Sequence, residues 1–161
     1  MGVIAYGQVA GPVVSRDYPL AASVAFKALS GKFMQLNSSG QVLIAVAGVT
    51  DLIGWAFTGL DWTSSATAGN DKVTVNLALD AQYEMPIYGD GPSGTAVTEA
   101  TLKGNIGLMC DLNVTSNIQS VNTSGTSQNV IQIVGYNYYG SAAGEQTYIV
   151  KLVPKNLTTA T

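Results

Sequence analysis

The stretch KVTVNLALD, residues 72–80, decides the fold class. Val73, Val75, Leu77 and Leu79 fall on one side of an extended chain, and Thr74, Asn76 and Ala78 on the other. A period of two marks a half-buried strand, because successive side chains of a strand point to opposite faces. Similar signals spread outward in both directions. Upstream, KFMQL (32–36), the turn NSSG (37–40) and QVLIAVAG (41–48) read as a hairpin. DLIGWAF (51–57) follows, with Trp55 and Phe57 alternating as in a core strand. Downstream, AQYEMPI (81–87) carries Pro86, which has no N–H to give a ladder and so predicts an edge or a bulge. Residues 96–112 read as one or two strands, with Ile106, Leu108, Cys110 and Leu112 alternating. Ile118 and Val121 mark another short strand. NVIQIVGYNYYG (129–140) and EQTYIVKLVP (145–154) form a closing hairpin in which Tyr148, Val150 and Leu152 share a face.

Between these runs lie turn tracts rich in Gly, Ser and Thr, at 61–71, 89–94 and 122–128. Eight or nine short strands so punctuated predict an all-β protein, a small β-barrel or a compact sandwich, with at most one short helix. Residues 1–30 read differently. They are rich in Gly and Ala, carry Pro12 and Pro19, and predict an extended N-terminal arm. Within them LAASVAFKAL (20–29) reads as a short helix or as extended chain. The expected organisation is an arm over 1–30, a β domain over 31–154 and a loose tail over 155–161.

Composition removes function classes. The 161 residues include no histidine and one cysteine. Histidine triads, imidazole bases, intrachain disulfides and Cys-rich metal sites are thereby excluded. Charged residues make up 11%, against roughly 25% in ordinary domains. Seven basic against ten acidic residues, net -3, leave no cationic footprint for nucleic acid. No window approaches the apolar length of a membrane span, and the opening residues lack a basic n-region, so neither a membrane nor a signal peptide is expected. Sequons at Asn37, Asn113, Asn122 and Asn156 match what so Asn-, Ser- and Thr-rich a chain carries by chance.

Each motif that suggests chemistry has a plainer reading. Gly89 to Gly94 spell G-x-G-x-x-G, but Pro92 and a β-like continuation replace the helix a dinucleotide needs. Asp51, Asp61 and Asp71 recur every ten residues, a spacing better suited to turn caps than to a hard cation. Asp80 and Glu84 are two carboxylates without a cleft signature. Cys110 sits in an alternating apolar run, as a small buried hydrophobe would. No catalytic, cofactor-binding or metal-binding residue is assigned, and an enzyme is not expected.

Interface candidates stand out more. An apolar arm exposed on a free monomer is costly, so Val3, Ile4, Tyr6, Val9, Val13, Val14 and Tyr18 either pack on their own body or cover another surface. Trp62 opens a polar loop, where an exposed indole would anchor a partner. Tyr136, Tyr138 and Tyr139 concentrate aromatic surface near the last hairpin, suited to packing, to a protein interface or to sugar stacking. Tyr136 and Tyr138 share a strand face, with Tyr139 turned away.

Three runs resemble the capsid decoration, or cement, proteins of tailed bacteriophages. They are LAASVAFKALSGKFMQLNSSGQVLIAVAG (20–48), IGWAFTGLDWTSSATAGNDKVTVNLALDAQYEMPI (53–87) with its A-x-Y-E-x-P passage, and the closing GLMCDLNVTSNIQSVN, NVIQIVGY and TYIVKLVP. The low charge and the tyrosine-rich last hairpin depart from that pattern. The resemblance implies a small β-barrel body on the outer face of a viral head, made in the host cytoplasm. It implies a homotrimer near local three-fold positions that binds the major capsid protein and braces neighbouring subunits, partly through its arm. The alternative reading is a carbohydrate- or receptor-binding β module using the tyrosines.

Overall fold

The computed structural model describes residues 7–27, 31–88, 96–125 and 127–154. In chain order they form β1 (Gly7–Ala10), β2 (Ser15–Pro19), β3 (Ala25–Phe26), β4 (Lys32–Leu36), β5 (Val42–Ile44), β6 (Gly54–Ala56) and β7 (Trp62–Thr63). There follow β8 (Lys72–Asn76), β9 (Gln82–Pro86), the helix α1 (Glu99–Gly104), β10 (Met109–Thr115), β11 (Ile118–Asn122), β12 (Ile131–Tyr138) and β13 (Gln146–Leu152). The described residues are all-β with one short helix, as the alternating runs require.

The strands build a six-stranded sheet, β1-β9-β13-β12-β10-β11, a five-stranded sheet, β2-β8-β6-β4-β5, and the small ribbon β3-β7. Both expected hairpins are present: β4 pairs with β5 from Met34↔Ile44 to Leu36↔Val42, and β12 with β13 from Ile131↔Leu152 to Tyr138↔Gln146. Neither large sheet closes into a barrel, so the sandwich is the form adopted. Each curls until one bridge brings distant strands together: Ile87, just past β9, meets Val121 of β11 in the first, and Leu20, just past β2, meets Val42 of β5 in the second. The reason is visible at β9: its residues Gln82–Glu84 are taken by β1 on one side, and β13 takes the other. Beyond the reach of β1, the bridge to β11 is made at Ile87. Pro86 lies inside the sheet order rather than on an edge strand, but at the end of β9, beyond the residues that β1 covers.

Two cores result. The first fills the curl of the six-stranded sheet with Tyr83, Met85, Cys110, Leu112, Ile133, Tyr148 and Val150, and takes Phe33, Ala45 and Trp55 from the other sheet. The second fills the curl of the five-stranded sheet with Leu20, Phe26, Met34, Val42, Ala56, Val73 and Val75. Neighbours in sequence thus serve opposite cores, Phe33 and Met34 on β4, Trp55 and Ala56 on β6. That is what the period of two is for. Such close layering leaves no room at Gly54, where a Cβ would lie 2.2 Å from the Asn76 carbonyl oxygen.

Of the two readings of 20–29 the helix is not adopted: as far as it is described the run turns at Ala22–Ser23, and Ala25–Phe26 pairs as strand with Trp62–Thr63. Three sequence expectations change. The helix lies instead at 99–104, inside the stretch read as strand. Thr98 caps it through its side-chain oxygen, Glu99 and Lys103 sit at the favourable ends, and Leu102 is its buried residue. The alternation of 72–80 stops at Asn76, whose Oδ1 accepts the N–H groups of Val14 and Ala78 and turns the chain, leaving Leu79 exposed. Phe57, one residue past β6, is exposed and not core.

The two sheets meet at Phe33. Its ring contacts Trp55 edge-on at 4.7 Å and Tyr83 at 5.2 Å, while Trp55 and Tyr83 stack at 4.9 Å. Each such pair adds about 0.5–1.5 kcal/mol beyond area burial. The Tyr83 hydroxyl is buried without a hydrogen-bond partner among the described residues, and burial pushes its pKa up to about 12. Beside the rings, the buried Gln119 amide reaches from β11 to the other sheet. Its Oε1 accepts the Phe33 N–H at 2.8 Å, and its Nε2 donates to the carbonyls of Phe33 and Ala45, both at 3.0 Å. Replacing it with leucine strands the Phe33 N–H and the Ala45 carbonyl, while the Phe33 carbonyl keeps the Ala45 N–H. Gln119→Leu should therefore lower unfolding stability by about 2–4 kcal/mol in urea titrations. A loss below about 1 kcal/mol would show that the amide is no clamp.

Asp111 performs the same service for the 122–129 turn. Its carboxylate accepts the N–H groups of Gln128 (2.7 Å), Asn129 (2.8 Å) and Ser127 (3.3 Å), and the Ser127 hydroxyl (3.1 Å). Burial alone would raise its pKa, but these donors together hold it below the usual carboxylate value. A depressed folded pKa stabilises the fold above the unfolded pKa, roughly 3.9, and that contribution is lost as pH falls through the folded value. Asp111→Asn should unfold at lower urea than wild type at pH 7, and the gap should narrow below about pH 4. A gap that is independent of pH would refute the charge-based account.

Candidate functional site

The chain from 7 to 19 borders both sheets. β1 pairs with β9 at the edge of the six-stranded sheet, and β2 pairs with β8 at the edge of the five-stranded sheet. Between them the Val14 N–H bonds Asn76 and the Val14 carbonyl accepts the Leu77 N–H. Residues 7–19 and 72–84 thus make one long antiparallel ribbon that steps from sheet to sheet. The described part of the arm is built into its own body, and its backbone is spent there. Its side chains are not. Val9 is 48% exposed, Val13 68% and Val14 57%, with exposed Leu79 on the facing segment. Tyr18 is half-buried against the second core. Val3, Ile4 and Tyr6 lie outside the described residues.

The tyrosines divide as their strand positions require. Tyr136 is half-buried against the first core and its hydroxyl donates to Glu99 of α1 at 3.0 Å. Tyr138 is exposed on the same side. Tyr139 turns the other way, reaching across β13 to donate to buried Glu84 on β9 at 2.8 Å. Thr147 donates to the same oxygen at 2.5 Å. Glu84 is the register partner of Gly7, so Tyr139 comes within one strand of β1. The structure therefore places Tyr139 and the arm strand on one side of the six-stranded sheet. Trp62 belongs elsewhere: it is half-buried and stacks on Phe26 at 5.8 Å, a packing role rather than an exposed anchor. Phe57 and Leu60, which no sequence signal distinguished from core, are exposed near it in the chain. Their exposure comes from where the layers end.

The chemical candidates resolve into structure. Asp61 pairs with Lys27 at 3.0 Å on the surface. Asp71 accepts the Ser65 N–H within the 61–71 loop, and Asp51 and Asp80 are exposed. Among the described residues no three His, Cys, Asp or Glu side chains gather as metal ligands would. The G-x-G-x-x-G run lies outside the described residues. Cys110 is fully buried, and burial with the adjacent Asp111 charge pushes its thiol up to about 11. It is a neutral thiol at physiological pH, unlike an activated nucleophile. Thiol reagents at pH 8 should leave Cys110 unmodified in the folded protein and label it fully in denaturant. Rapid labelling under native conditions would contradict its burial.

A small cleft opens where the sheets meet, about 110 Å³, lined by Gly31, Lys32, Trp55, Met85, Pro86, Ile118 and Gln119. Lys32 is half-buried and donates from Nζ to the Asn117 carbonyl at 2.9 Å. Burial lowers its pKa. The sequence offered Lys32 only together with Lys27, as the nearest approach to a basic patch, and two lysines make no patch.

No protein-family model matches the chain, and no curated protein is significantly similar to it. The likeness to decoration proteins rests on the quoted runs.

Proposed function

We propose that this chain is a capsid decoration protein that docks on the outer face of a viral head and braces neighbouring subunits of the major capsid protein. The observation that carries the reading is the exposure of three valines, Val9, Val13 and Val14, on a ribbon anchored in both sheets. Exposed apolar groups on a rigid edge suit docking, since little is lost in ordering them. A charge content of 11% fits a surface substantially covered by partners, because Lys and Glu are depleted at interfaces. Association as a homotrimer would multiply modest contacts through effective concentration. Binding an assembled shell but not its separated subunits stabilises the shell by mass action. Sugar stacking is less well supported, since Tyr136 packs half-buried against the first core and Tyr139 faces the other way, so the tyrosines share no aromatic platform.

Deleting the whole arm would strip edge strands from both sheets, so point substitutions make the cleaner test. Val13→Asp with Val14→Asp should leave the thermal midpoint within a few degrees of wild type, yet abolish co-sedimentation with expanded, undecorated heads. Unchanged co-sedimentation of the double variant, or none of the wild type, would sink the reading.

A further inference from the structure

The seam cleft has a one-sided chemistry. Lys32 carries a partly desolvated ammonium with one carbonyl partner and no ion pair among the described residues. Trp55 lines the same cleft, and its indole N–H makes no hydrogen bond among the described residues. Gly31 keeps that N–H uncovered: a Cβ there would sit 2.2 Å from the indole Nε1. The remaining polar lining group, the Gln119 amide, is fully engaged with Phe33 and Ala45. The other walls are the apolar side chains of Met85, Pro86 and Ile118. Two donors, one of them charged, thus line a cleft whose other side chains are apolar or, in Gln119, already bonded.

We propose that this cleft binds a carboxylate on a short apolar stem, the glutamate side chain of a partner protein. A half-buried ammonium without a counter-charge gains from an acidic group, and a charge-assisted bond there is stronger than a neutral one. The methylenes of the stem rest on Met85, Pro86 and Ile118. The volume selects the carrier. About 110 Å³ holds one side chain, whereas pockets for small molecules run to roughly 300–1,000 Å³. The rest of the ligand must lie outside the cleft, as the body of a docked protein does. A single cation with one neutral donor also suits a carboxylate better than a phosphate, which calls for more positive charge. The docking reading enters only in naming a protein as the carrier.

The protein has two indoles, and Trp62 lies apart, stacked on Phe26, so it is a built-in control. The full chain is labelled with 15N and titrated with sodium propionate, with a blocked glutamate peptide and with its glutamine counterpart, each against sodium chloride at equal ionic strength. The Trp55 indole N–H signal should move saturably, at millimolar affinity, with propionate and with the glutamate peptide, more tightly with the peptide, and not with glutamine. Trp62 should stay still. Lys32→Met should weaken the response at least about tenfold. Ile118→Asp, at a residue 54% exposed, should abolish it by adding a rival negative charge without disturbing the core. The proposal is overturned by no saturable Trp55 shift, by an equal response to glutamine, or by a full response in Lys32→Met. Tighter binding of propionate than of the peptide overturns the protein carrier in favour of a free acid. No Trp55 response in the wild-type protein, with its head binding intact, overturns this site alone. A retained response without head binding overturns the docking reading alone.

Discussion

Everything in this molecule depends on how Phe33 is held. Its ring stands edge-on to the stacked pair Trp55 and Tyr83, which come from opposite sheets, and its peptide N–H and carbonyl are both gripped by Gln119. The apolar contact supplies attraction between the sheets but little direction. The amide supplies direction, because a buried donor and acceptor are satisfied in one placement and costly in others. With that seam set, the remaining elements have little freedom. Ala45 is drawn in by the same amide, and the tip of the β10-β11 hairpin is tied back to β4 through the Lys32–Asn117 bond. That hairpin turns in two residues, Ser116 and Asn117, both with positive φ, the mirror-type turn whose twist matches the strands.

The double curl explains both surfaces singled out here. Each sheet bends around its own core and stops short of closure. The ribbon of 7–19 against 72–84 must then pass from one curl to the other. At that step the backbone is hydrogen-bonded but no layer lies over the side chains, which leaves Val9, Val13 and Val14 in solvent. The cleft arises at the seam itself. There the paired strands β4 and β6 of one sheet face β9 and β11 of the other, and glycine at 31 keeps the indole edge open. The exposed valines and the cleft both follow from two sheets joined at one place.

The candidate interface was partly legible in the chain. An apolar arm with scarce charges is a compositional fact, and it pointed to Val9, Val13 and Val14. The opposite facing of Tyr136 and Tyr139 was legible from strand alternation, and the hydroxyl bonds to Glu99 and Glu84 agree with it. Trp62 was misread because a polar loop in sequence still folds its first residue onto Phe26. Phe57 was misread in the other direction, since alternation says which face a residue takes but not where the opposing layer ends. The helix at 99–104 was missed although its Thr98 cap and flanking charges were in view, because six residues with one buried leucine make too short a period to compete with a strand pattern.

By itself the sequence determined that the chain is β, that 32–44 and 131–152 fold back on themselves, and that histidine and disulfide chemistry are absent. These are local or compositional properties: side-chain alternation, turn residues and counts. Only the tertiary structure decided that the arm joins two sheets, that neither sheet closes, and that Lys32 and the Trp55 indole face one cleft. Those outcomes rest on contacts between residues far apart in the chain, Gln119 with Phe33 and Gly7 with Glu84, whose pairing no short window of sequence encodes.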